Sequence, residues 1–538
     1  MPPTHEVANQ PPPLLDHDVA AGDAALVEAM ARHGADPGAV RALGELAGTE
    51  RVQRWAAEAN GYPPVLRTHD RYGNRIDEVD FHPAWHELMQ VAVGAGLHGT
   101  AWQSPGPAPH VTRAARFYVW SQVEAGHGCP VSMTYAVVPA LRAEPSLAAA
   151  YLPGLTSTAY DPGLRPPADK AGLLAGMGMT EKQGGSDVRA NTTRAVAEPG
   201  GGYRLTGHKW FCSAPMCDVF LVLAQAGAGL TCFLVPRMLP DGSRNPFRLQ
   251  RLKDKLGNRS NASAEVELDG TLGWRVGPEG RGVATILEMV TVTRLDCVLG
   301  SAATIRAATA QAIHHATHRR AFGRPLREQP LMLAVLADLA VEAEACTALA
   351  VRLASTLDTG EASLGRLATA VGKFWVCKRA PAVTAEALEC LGGNGYVEES
   401  GLPRLYREAP LNSIWEGSGN VIALDVLRAV TRQPESVGAF LAEVEAATGA
   451  DSRLDAAAKR LRGELADPHG LESRGRRLAA LMAVCLQGSL LVRYAPAAVA
   501  DAFCATRLDG DWGWVPGTLP VGLDAKAIVD RAAPLPDR

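Results

Sequence analysis

The sequence predicts a mainly α-helical protein with a central β domain. Three observations predict it: apolar residues recurring at helical spacing before residue 176, short β-rich segments from about 177 to 274, and long apolar helices from 280 to 431. At 538 residues the chain exceeds what one core supports, so several domains are expected. Their boundaries read as 1–176 (helical), 177–279 (β), 280–434 (helical bundle) and 435–538 (a further helical region). This order excludes a Rossmann arrangement, in which strands and helices alternate.

In the first region AALVEAMARHG and WHELMQVAVGAG carry the i, i+3, i+4 pattern, and SPGPAPH punctuates it. After Met177 come NTTRAVAE, YRLTGHKWFCS, DVFLVLAQA, LTCFLVPRM, FRLQRL and SAEVELDG. They are rich in β-branched or aromatic residues and separated by Gly, Pro or Asp, which predicts a compact antiparallel barrel-like domain of about six strands. Three long apolar helices and a shorter one at VIALDVLRAV then predict a four-helix bundle.

Hydrophobic residues make up 47% and charged residues 20% of the chain, with a net charge of −4, the profile of a soluble globular protein. Any nucleic-acid contact therefore needs a local basic patch. The start, MPPTHEVANQPPPLLDHDVA, lacks a basic stretch followed by an apolar core, and no run approaches about 18 uninterrupted apolar residues. A cytoplasmic protein without a membrane span is expected. The ten cysteines are irregularly spaced, and Cys212 and Cys217 in CSAPMC lack zinc-site spacing, so reduced buried thiols and no metal are expected.

Five short stretches bear chemistry, each with two readings. MGMTEKQGGSD (177–187) is a solvated turn, or a backbone kept bare by Gly184 and Gly185 for a ligand reached by the hydroxyls of Thr180 and Ser186. Trp210 in GHKWFCS is a core residue, or lies against a flat aromatic cofactor. HRRAFGRPL, with Arg319, Arg320 and Arg324, is a solvated helix end or a phosphate clamp. ECLGGNGYVEE is a glycine helix stop, or backbone beside a ligand. In NSIWEGSGNVIALDVLR, Glu416 is an acid at a helix start, or a partly desolvated general base beside an anion-binding helix N-terminus.

Together and in this order, the five stretches resemble the acyl-CoA dehydrogenase superfamily of flavoproteins, over roughly 100–428. The resemblance implies an N-terminal α domain, a middle β domain, a C-terminal four-helix bundle, FAD as cofactor and a homotetramer. It implies flavin contacts from Met177, Met179, Thr180, Gly185 and Ser186, and a flavin-flanking strand through Trp210, Phe211 and Cys212. Arg319 and Phe322 would reach the cofactor of a neighbouring subunit, and Gly393, Ile414, Trp415, Ser418, Gly419 and Asn420 would contact the dinucleotide. Glu416 would take the α-proton of an acyl-CoA thioester while the β-hydrogen leaves as hydride to the flavin.

TEKQGGSDV, DKLGNRSNASAEV, LPRLYREAPLNSIWEGSGN and NQPPPL are similar to the AidB-like branch, linked to the adaptive response to DNA alkylation. That branch implies an added C-terminal helical domain, association with double-stranded DNA and weak or no dehydrogenase activity. The alternative is a genuine short- or branched-chain acyl-CoA dehydrogenase. Pro330 and Glu389 depart from glutamines usual in the superfamily, and Asp425 and Arg428 bring charge near the implied acyl channel, either as a surface ion pair or as a polar channel wall. Residues 435–538 hold 12 Lys and Arg against 14 Asp and Glu. Their one basic run, Lys459, Arg460, Arg462, Arg474, Arg476 and Arg477, is a solvated helix face or a DNA contact.

Overall fold

The computed structural model describes residues 4–103, 106–510 and 515–535. They form two compact units: residues 54–109 with 124–296, and residues 1–53 with 110–123 and 297–538.

The first of these units is built on a seven-stranded sheet. Its strands follow a hairpin that the sequence reading missed, β1 (Val65–His69) and β2 (Arg75–Asp80). The hairpin lies in a region expected to be helical; its turn is closed by the Asp70 carboxylate, which accepts from the Tyr72 and Asn74 N–H groups at 2.8 and 2.9 Å. The sheet comprises β3 (Ala175–Gly178), β4 (Arg194–Ala197), β5 (Tyr203–Ser213), β6 (Val219–Ala226), β7 (Gly229–Pro236), β8 (Phe247–Leu252) and β9 (Ser263–Val276). Pairing runs β3-β6-β4-β5-β9-β7, and β6 also pairs with β7, so the path closes on itself. The sheet is mixed rather than purely antiparallel, because β3 lies parallel to β6. The apolar runs of β6 and β7 are buried along almost their whole length and form the centre of this unit. The β5–β9 register shifts between Lys209 and Cys212, and this irregularity turns Trp210 and Phe211 away from regular pairing.

In the other unit, the predicted bundle is formed by Gly282–His318 (from residue 297 onward), Pro330–Thr359, Ala362–Cys390 and Gly419–Arg432. Pro330 opens its helix in the first turn, where a missing N–H costs nothing, and Gly360, at φ +70, closes it. The C-terminal region continues as Pro434–Glu445, Ser452–Ala466 and Leu471–Tyr494. The last of these packs against three bundle helices, 330–359, 362–390 and 419–432. By length and apolar content it would cross a membrane, yet 78% of its most apolar stretch is buried inside the protein, as in a core helix. All ten cysteines are buried thiols outside any disulfide.

Glu443 ties the C-terminal region to the bundle. Its carboxylate accepts from Arg352 at 2.8 Å and from Arg493 at 2.6 Å, and Arg352 also holds Glu361 at 2.9 Å. Burial alone would raise the Glu443 pKa, but the two guanidinium groups bring it down to about 2. A carboxylate depressed in the folded state contributes stability above its unfolded pKa, and that contribution is lost as pH falls toward 2. Glu443→Gln is therefore expected to lower stability at pH 7 by roughly 2–3 kcal/mol. In urea unfolding the deficit should shrink between pH 5 and pH 2; a deficit constant across that range would contradict this.

Candidate active site

In the β unit, the turn after β3 is anchored from beneath by Glu181. This side chain is fully buried against Lys209, whose ammonium lies 2.8 Å away and is equally buried. The carboxylate also accepts from the Thr192 N–H (2.7 Å) and from the Thr193 hydroxyl (2.6 Å) and N–H (3.1 Å). Burial opposes ionisation, and these donors outweigh it, holding the Glu181 carboxyl well below the usual range. The Trp210 N–H donates to the Thr180 carbonyl at 2.8 Å, and the Asn191 amide to that of Met179 at 2.8 Å. The base of the turn is thereby fixed while Gly184, Gly185 and Ser186 stand exposed.

Gly185 is needed for a reason the sequence did not reveal. A Cβ there would stand 2.4 Å from the Thr180 hydroxyl oxygen, so the bare backbone makes room for Thr180 itself. Met177, Met179 and Thr180 are half-buried beside it. The Cys212 thiol is buried, pushed up to about 12, and directed at the Met177 carbonyl 3.7 Å away. Trp210 is not a core residue: Lys253 places its ammonium 3.3 Å from the ring centroid. Phe211 is 53% exposed. The turn and the two aromatics thus offer hydroxyl groups, open backbone and flat apolar surface together.

In the helical unit, Glu416 sits at φ +57, a left-handed conformation that costs a non-glycine residue of order 1 kcal/mol. Lys373, 1% exposed, holds it there. Its ammonium donates to the Trp415 carbonyl at 2.8 Å and to the Gly417 carbonyl, bracketing Glu416 on both sides. Trp415 is fixed in turn by its indole N–H, which donates to the Asn412 side chain at 2.8 Å. Ile414 is exposed and Trp415 half-buried. Ser418, Gly419 and Asn420 begin the helix Gly419–Arg432, and Ser418 caps it without a side-chain hydrogen bond.

On that helix Asp425 is buried and its principal partner is Arg366, bonded through both oxygens at 2.7 and 3.1 Å. The i, i+3 pair with Arg428 expected from the sequence is longer, 3.7 Å, and Arg428 is exposed. Arg319 immediately precedes the hairpin 320–325, on which Phe322 is 97% exposed at φ +51. Arg319 donates to the Asn9 carbonyl at 2.5 Å, and Asn394, beside the exposed Gly393, donates to Gln10 at 3.2 Å. The segment NQPPP thus straps two candidate cofactor elements together.

Of the six candidate DNA contacts, Arg462 pairs with Glu445, and Arg474 and Arg477 pair with Glu464. Arg476 turns to Asn420 at 2.7 Å, while Lys459 and Arg460 are exposed. Sequence reasoning passed over Glu181, Lys209, Lys253, Arg366, Lys373 and Lys378. The signal for the last two was legible: lysines inside the apolar helical stretch AVGKFWVCKRA require a reason to be there.

Residues 9–162 match the adaptive response protein AidB N-terminal domain, 176–271 the acyl-CoA dehydrogenase middle domain, and 280–431 the acyl-CoA dehydrogenase C-terminal domain. The chain belongs to the acyl-CoA dehydrogenase family. Within it, the chain is 48% identical to AidB of Escherichia coli (strain K12) over 514 residues, covering 94% of this chain and 95% of that one. It is 34% identical to acyl-CoA dehydrogenase family member 11 of Caenorhabditis elegans, over 74% of this chain and 68% of that protein. Among solved structures, C. elegans ACDH-11 in complex with C11-CoA aligns with a TM-score of 0.84 at 28% identity, over 98% and 97% of the two chains. Bd2924 in its apo-form aligns at 0.83 with 31% identity, over 91% of this chain and all of that one.

Proposed function

We propose that this protein is an AidB-type FAD flavoprotein that binds acyl-CoA thioesters, with Glu416 as the base, and that its dehydrogenase activity is weak. The observation that carries this reading is the strained Glu416, bracketed by Lys373 at the carbonyls on either side. Strain at a carboxylate maintained by a buried cation is the mark of a residue held for chemistry. The C11-CoA bound to ACDH-11 supports acyl-CoA as the ligand class.

FAD, when bound, supplies the hydride acceptor. The family likeness assigns cofactor contacts to Thr180 and Ser186 in the β unit and, separately, to the Ser418–Asn420 turn in the helical unit. Glu416 removes the proton α to the thioester carbonyl, and its main-chain N–H stabilises the charge that develops on the thioester oxygen. The buried Asp425–Arg366 pair places charge on the helix that follows Glu416, which supports a substrate preference for short or branched chains. The exposed Phe322 and the 86% exposed Leu331 support assembly as a homotetramer in which a neighbouring copy covers this hairpin. We infer a cytoplasmic location from the same reading.

Association with double-stranded DNA, in the response to alkylation damage, is the second reading. It is supported by the likeness to AidB and by the exposed Lys459 and Arg460.

Anaerobic titration with isovaleryl-CoA should bleach the flavin of the wild-type protein slowly, and Glu416→Gln should slow bleaching at least about 100-fold without releasing FAD. Equal bleaching by the variant would remove Glu416 as the base; rapid, complete bleaching by the wild type would make the protein a genuine dehydrogenase. For the second reading, duplex retention should weaken between 50 and 200 mM salt, and replacing Lys459 and Arg460 by Ala should reduce it about tenfold. Retention indifferent to both changes would dismiss DNA as a partner.

A further inference from the structure

Three cations converge where the helix Gly419–Arg432 begins. Lys373 lies beneath on the Trp415 and Gly417 carbonyls, and Lys378 donates to the Ser413 hydroxyl at 3.3 Å. Arg476, from the helix Leu471–Tyr494, donates to the Asn420 side chain at 2.7 Å. Lys378 and Arg476 both stand 5.6 Å from the centroid of the Phe374 ring, so they share one small surface. A Cβ on Gly419 would meet the end of Lys378 at 2.7 Å and Arg476 at 3.4 Å; the bare glycine is what lets the two cations close over the turn.

At this turn Lys373, Lys378 and Arg476 meet main-chain carbonyls, a hydroxyl and a side-chain amide. That separates Arg476 from its neighbours Arg474 and Arg477, which both pair with Glu464. Burial, and then the proximity of Arg476 and Lys373, lowers the Lys378 pKa, as like charges crowded together do. Such a cluster is relieved by an anion. The helix adds first-turn N–H groups that no side chain caps, and Ser418, Asn420 and Arg476 are open to solvent.

We propose that Lys378 and Arg476 bind the phosphate of a nucleotide at the Ser418–Asn420 turn, so that the C-terminal helical region supplies part of the nucleotide site. Arg476 lies beyond the acyl-CoA dehydrogenase match, which ends at 431, and is therefore an addition to that framework. A guanidinium beside an ammonium over uncapped N–H groups suits a pyrophosphate ester. Both FAD and CoA carry one. The proposal rests on the flavoprotein reading above only for the choice between these two sources.

The test uses the full-length protein freed of nucleotide and titrated separately with FAD, riboflavin, CoA and inorganic pyrophosphate, followed by calorimetry and flavin fluorescence. Arg476→Gln and Lys378→Gln should each weaken the pyrophosphate-bearing ligand by about 10- to 100-fold while riboflavin affinity changes less than twofold. Arg476→Lys should recover part of the loss, and Lys526→Gln, distant in the chain and paired with Asp530, should bind as wild type. Loss toward FAD assigns the site to the cofactor, and loss toward CoA alone assigns it to the acyl carrier; both support the proposal. If the wild type binds no flavin but loses pyrophosphate with Arg476→Gln, the flavoprotein reading fails and this site stands. Wild-type affinity of both Gln variants for FAD, CoA and pyrophosphate overturns the proposal. An equal loss of riboflavin affinity with an unchanged unfolding curve does so as well.

Discussion

The ammonium of Lys373 is the constraint on which the helical unit's chemistry depends. A lysine buried to 1% exposure needs its donors satisfied, and here two of them meet main-chain carbonyls. The two carbonyls flank Glu416, so burying the lysine and straining the glutamate are one event. This is why a turn of small residues, Gly417, Ser418 and Gly419, follows the glutamate: the chain must leave a left-handed residue and enter a helix within three positions.

The β unit solves a similar problem with opposite charge. There Glu181 is the buried ion, and it gathers Lys209 together with the backbone and hydroxyls of Thr192 and Thr193. A buried ion pair is a weak source of net stability, but a fully satisfied one specifies geometry. The turn above it can therefore expose Gly184, Gly185 and Ser186 without losing its shape. The register shift in β5 acts in concert, since it aims Trp210 and Phe211 outward at the point where Lys209 aims inward.

Much of this was legible from the chain. The helix, sheet and bundle order followed from changes in apolar period, and the glycine-rich turns followed from composition. The hairpin 65–80 escaped because its alternation is short and mostly polar, within a region of strong helical signal. The mixed character of the sheet escaped because β3 is four residues long and pairs with a strand some forty positions later. Side-chain partners were the least accessible. Arg476 was read with Arg474 and Arg477 as one basic face, yet helical geometry divides the three: two meet Glu464 and one meets Asn420. Arg366 and Lys373 found their partners more than forty residues away, a pairing that no local pattern encodes.

The central claim is that Lys373 holds Glu416 ready to take a proton. Washout of deuterium from the α-carbon of isovaleryl-CoA into water, followed by NMR with full-length protein, tests it without requiring hydride transfer. The account predicts washout by the wild type and a rate at least about tenfold lower for Lys373→Met at equal FAD content, since a base displaced from hydrogen-bond reach loses its contribution. Equal rates in the two proteins, or no washout in either, would contradict it.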